Sequence, residues 1–83
     1  MDGTQDTQAG MQISDYQINA SVRSILARHC VDLQRLTFGS FRGTVRLNGE
    51  FCSLLSGRPL DLGDIEAIQS DIKSLSGVKR VYI

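Results

Sequence analysis

Residues 33–55, LQRLTFGSFRGTVRLNGEFCSLL, decide the fold. In this stretch Leu36 and Phe38 alternate with Arg35 and Thr37, and Val45, Leu47 and Phe51 alternate with Thr44, Arg46, Asn48 and Glu50. Apolar residues at period two, punctuated by glycine, predict a β-hairpin. Pairing Phe38 with Val45 and Leu36 with Leu47 puts all four apolar side chains on one face and leaves Ser40, Phe41, Arg42 and Gly43 at the turn. Thr37 then lies opposite Arg46 on the other face, with Arg35 one step along. A one-residue slip would carry Arg46 into the core, so the faces are strongly specified.

Upstream of the hairpin the period changes. Ser14 and Gln17 have the spacing of a capping box, and Ile18, Val22, Ile25, Leu26 and His29 follow on one helical face, from about Asp15 to His29. Arg23 and Arg28 fall off that face and belong in water. Downstream, SGRPLDLG reads as a loop and helix entry, with Asp61 or Asp64 as the N-cap. Ile65, Ile68, Ile72 and Leu75 recur at helical steps, and Gly77 stands where a left-handed residue would stop the helix. VKRVYI closes the chain as a strand with Val81 and Ile83 on one side. The order helix, strand, strand, helix, strand predicts an α+β fold, an αββαβ two-layer sandwich with a three-stranded sheet and two helices on one face. A crossover between parallel strands through the second helix would be right-handed. Residues 1–13 have little to bury and read as a disordered N-terminal tail; residues 14–83 form the single domain.

The chain of 83 residues has room for one small domain and only a modest core, which excludes a two-domain enzyme. Nine Lys+Arg balance nine Asp+Glu. With no long-range attraction to polyanions, nucleic acid is not an expected partner. The charge is unevenly spread: Arg23, Arg28, Arg35, Arg42 and Arg46 face only Asp32 between residues 16 and 49. Seven of the nine bases are Arg, whose guanidinium suits bidentate phosphate or carboxylate contacts. There is neither an export signal nor a stretch of about 20 apolar residues, so a complete chain would be cytoplasmic. A domain excised from a longer protein would leave the compartment open.

No enzymatic constellation emerges. His29 and Cys30 are adjacent on a helix and point about 100° apart, so they cannot share one bound atom, and adding Cys52 gives no zinc spacing. Cys30 and Cys52 read as reduced, core-type cysteines. Asp61, Asp64, Glu66 and Asp71 suit capping and the helix dipole better than a calcium loop. The glycines match neither the dinucleotide nor the P-loop pattern, nor the G-x-x-G of a KH module. No metal, cofactor or catalytic residue is expected. What stands out is the hairpin tip, where Phe41 and Arg42 occupy turn positions that favour Gly, Asn, Asp and Pro. Phe41 as an apolar wedge, with Arg42, Arg35 and Arg46 as guanidinium groups, would suit an anionic surface. Phe41 folded back over the edge of a small core is the structural alternative.

From about Ile18 to Ile83 the chain resembles the BON domain, a module named from bacterial osmotic-shock and nodulation proteins. The residues that carry the resemblance are the first-helix apolar series ending in Leu26, the strand TVRLNGEF with Val45, Leu47 and Gly49, and the terminal SGVKRVYI with Gly77, Val78 and Val81. They match the family's V-x-L-x-G strand followed, one helix later, by G-V-x-x-V. The resemblance implies the same αββαβ unit and a non-enzymatic, often envelope-associated module that contacts phospholipid surfaces or helps assemble larger complexes. The expected function is therefore weak recognition of an anionic phospholipid surface or similar ligand through Arg35, Phe41, Arg42 and Arg46. The alternative is a structural module that pairs with itself as a homo-oligomer or with a larger protein partner.

Overall fold

The computed structural model describes residues 14–83; the N-terminal segment assigned above as a tail lies outside them. The order is α1 (Asp15–Arg28), β1 (Leu36–Phe41), β2 (Thr44–Gly49), α2 (Leu62–Lys73) and β3 (Arg80–Tyr82). The sheet runs β1-β2-β3, with β1 and β2 antiparallel and β2 and β3 parallel. This is the expected α+β sandwich, with α2 as the crossover between the parallel strands.

Local sequence explains where each helix starts. The Ser14 hydroxyl accepts the Gln17 amide and the Gln17 side chain accepts the Ser14 amide, a complete capping box. At α2 it is Asp61 that caps, accepting the Asp64 amide at 2.9 Å. Ile18, Val22, Ile25 and Leu26 of α1 and Ile68 and Ile72 of α2 are buried against Leu36, Val45 and Leu47 of the sheet, with Val31 and Phe51 closing the core.

The helix ends differ from expectation. Gly77 has φ +89°, but α2 stops at Lys73 with Ser74 as its cap, so Gly77 shapes the turn into β3 rather than the helix terminus. The left-handed stop belongs to α1. After the cap at His29, Cys30 has φ 57°, its amide donates to the Ala27 carbonyl, and the Val31 amide donates to the Leu26 carbonyl, both at 3.0 Å. That is a Schellman motif with a cysteine where glycine is usual, which hides it from sequence inspection.

The hairpin register also corrects the sequence reading. Phe38 pairs with Leu47, not Val45, and Leu36 pairs with Gly49, not Leu47. Arg46 accordingly lies opposite Gly39, and Thr37 opposite Asn48. The slip is by two residues, so every side chain keeps its expected face. Two backbone constraints select the observed pairing. Arg42 and Gly43 have φ 51° and 84°, the signature of a two-residue type I′ turn whose twist suits a tight hairpin. At the far end Gly49, φ 119°, packs so tightly on the Arg35 carbonyl that a Cβ there would collide with it. The close approach at Gly49 is thus made to Arg35, just before β1, and to Leu36, its first residue.

Candidate binding face

The helices cover one side of the sheet and leave the other open. Alternation places Thr37, Gly39 and Phe41 of β1, Thr44, Arg46 and Asn48 of β2, and Arg80 and Tyr82 of β3 on the open side. Between Phe41 and Thr37 the missing side chain of Gly39 leaves a shallow trough of about 510 Å³, walled by Phe41, Arg46 and Asn48. A Cβ at Gly39 would meet no atom within 4 Å.

The face is basic and aromatic. None of the three strands, LTFGSF, TVRLNG and RVY, contains a carboxylate. Arg42, Arg46 and Arg80 form no ion pair among the described residues, in contrast to Arg35. The Arg46 guanidinium lies 4.9 Å from the Tyr82 ring centre and that of Arg42 lies 5.2 Å from the Phe41 ring centre. Phe41 is 67% exposed, which decides between the two orientations considered for it: the ring stands in solvent and does not close the core. Exposed cation–π contacts of this kind hold the guanidinium without neutralising it. The Arg42 amide donates to Asp15 at 3.3 Å, and the Ser40 hydroxyl donates to Asn19 at 2.7 Å, tying the hairpin tip to α1.

Of the four residues singled out in the sequence, Phe41, Arg42 and Arg46 share this end of the open face. Arg35 does not. It precedes β1 at the far end of the strand, six residues or about 20 Å from Phe41. Its guanidinium is 3.4 Å from Glu50 and 3.8 Å from Asp32, and it donates to the Cys52 sulfur at 3.8 Å. The Cys52 thiol, followed by the charge of Glu50, raises the Arg35 pKa above its ordinary value.

Arg80, Tyr82 and Gly39 were missed. The alternation in VKRVYI already separates Arg80 and Tyr82 from Val81, but only the parallel pairing of Arg46 with Tyr82 brings them to this site. His29 and Asp71, each read above in a local role, meet across the helix layer, Nε2 to Oδ2 at 3.0 Å. Among the described residues no helix is long and apolar enough to cross a membrane. No protein-family model matches the chain, and no curated protein or solved structure is significantly similar to it.

Proposed function

We propose that this domain is a non-enzymatic binding module whose open sheet face recognises an anionic phospholipid surface. The observation that carries the reading is a solvent-exposed Phe41 beside Arg42 and Arg46, on a sheet whose strands hold no carboxylate. Arg80 and Tyr82 extend the same face, and the bare backbone at Gly39 lets a phosphate-bearing headgroup approach the sheet. The resemblance to the BON domain points the same way.

The energetics favour weak, salt-sensitive attachment. Each Arg at an anionic membrane contributes about 1 kcal/mol, so Arg42, Arg46 and Arg80 supply about 3 kcal/mol before ordering costs. Insertion of the Phe41 ring adds at most about 1.5 to 3 kcal/mol. The sum, about 4.5 to 6 kcal/mol before ordering costs, corresponds to a dissociation constant of about 0.04 to 0.5 mM for one copy.

The test is co-sedimentation with phosphatidylglycerol-containing and purely phosphatidylcholine vesicles at low and moderate salt. Wild type is expected to bind the anionic vesicles at low salt only. Phe41→Ala and Arg46→Gln weaken binding, and Gly39→Glu, which places a carboxylate in the trough without touching the core, abolishes it. Equal behaviour of all four proteins on both vesicles would overturn the reading.

A further inference from the structure

The sheet has two edges, and they are built differently. The β3 edge is only three residues long, carries Arg80, and follows Lys79. Short length and positive charge are how natural sheets guard an edge. The β1 edge is twice as long, and the positive charge near it, Arg23 over the Phe38 ring with Arg35 and Arg42 at its two ends, lies outside the strand. Its six residues, LTFGSF, contain no charge and no proline.

Hydrogen-bond parity shows which of its groups are unpaired. The Glu50 amide donates to the Arg35 carbonyl at 2.9 Å, so Arg35 and, by alternation, Thr37, Gly39 and Phe41 bond toward β2. Leu36, Phe38 and Ser40 therefore direct their amides and carbonyls away from the sheet. Among the described residues nothing hydrogen-bonds to them there. Beside this edge lies a shallow groove of about 310 Å³ between α1 and β1, lined by Asn19, Arg23, Leu33 and Phe38.

We propose that β1 pairs antiparallel with β1 of a second copy of this chain, about a two-fold axis at Phe38, to give a continuous six-stranded sheet. In that register Phe38 meets the second copy's Phe38, and Leu36 meets its Ser40, so all outward amides and carbonyls of the three residues are satisfied at once. On the open face Thr37 meets the copy's Gly39, and Arg35 meets its Phe41. At this pair the Arg35 side chain, held toward Glu50 and Asp32 within its own chain, lies next to the copy's exposed Phe41 ring. Arg35, remote from Phe41 within one chain, is thereby placed beside that of the other copy, and both basic faces lie on the same side of the sheet.

A second copy fits this edge better than a strand preceding α1 would. Such a strand would make a parallel β-α-β unit on the same helix-covered side as β2-α2-β3, but across the antiparallel hairpin. One of the two crossovers would then be left-handed, against a preference of about 98%. Self-association is weak, because a six-residue edge buries less than the roughly 1,200 Å² of a standard interface. It also brings together two Arg23 guanidiniums, each 5.4 Å from its own Phe38 ring centre. Salt therefore strengthens the pairing, the reverse of its effect on Arg-mediated binding to an anionic surface.

Amide hydrogen exchange of the full chain, without lipid, at about 20 µM and about 1 mM tests this. For a dissociation constant of about 100 µM, exchange at Leu36, Phe38 and Ser40 slows about fourfold at the higher concentration, while Thr37, Gly39 and Phe41 are unchanged. Ser40→Pro, which removes one edge donor, and Thr37→Lys, which sets like charges diagonally across the axis on the exposed face, both abolish the slowing. Arg23→Gln enhances it. Concentration-independent exchange at the three amides would overturn the proposal, and so would association that survives both Ser40→Pro and Thr37→Lys. Because no vesicle is present, neither result depends on the lipid-binding reading.

Discussion

Replacing Arg42 by Asn tests the hairpin tip through two opposed effects. Arg42 sits at φ 51° in the first position of the two-residue turn. An ordinary side chain in this left-handed region costs roughly 1 to 2 kcal/mol, and Asn is among the few residues that tolerate it. The Arg42 amide bond to Asp15 belongs to the backbone and survives the substitution. What is lost is the stacking of the guanidinium on Phe41, worth about 0.5 to 1 kcal/mol at an exposed site. The net expectation is a gain of about 0.5 kcal/mol, or a rise in melting temperature of about 2 to 4 °C for a domain of this size. In a Phe41→Ala background the stacking is already absent, so the same change should gain about 1 kcal/mol. Urea denaturation of the four proteins closes a double-mutant cycle, and the coupling isolates the cation–π contact. Binding to anionic vesicles should meanwhile fall about fivefold, the loss of one Arg near the surface. A stabilised variant that binds less well would mark Arg42 as a residue kept for contact at a cost in turn stability. If Arg42→Asn destabilised the protein in both backgrounds, the type I′ geometry would be wrong.

Three further outcomes follow from the backbone and the core. Cys30→Gly should raise stability by up to about 1 kcal/mol, because Cys30 ends α1 at φ 57°; thermal melts check this, and a lower melting temperature would argue against the Schellman ending. Gly49→Ala combines a positive φ with a Cβ driven into the Arg35 carbonyl, and should cost about 2 to 5 kcal/mol, seen as loss of the cooperative urea transition. Ile68→Ala, at a fully buried position, should also cost about 2 to 5 kcal/mol, whereas Leu55→Ala, at a side chain 82% exposed, should stay within about 0.5 kcal/mol of wild type by the same assay.

Periodicity alone was enough to identify both helices, the hairpin and the final strand, because each has one apolar face to bury and the two periods differ. Ser14 with Gln17, and Asp61, were legible as caps since capping depends on contacts within one turn of helix. Register was not legible. A shift of two residues leaves every side chain on its own face, so alternation cannot separate Phe38 opposite Val45 from Phe38 opposite Leu47. The choice falls to the Arg42–Gly43 turn and the approach of Gly49 to Arg35, which are backbone conformations that side-chain pattern does not encode. The same limit governs the binding face. That Phe41, Arg42 and Arg46 occupy one hairpin follows from the sequence, but that Phe41 ends β1 instead of sitting in the turn, and so alternates onto the open face, follows only from the observed register. The union of Arg46 with Tyr82, 36 residues away, and the separation of Arg35 from Phe41 along one strand arise only from strand order and register, which are properties of the assembled sheet.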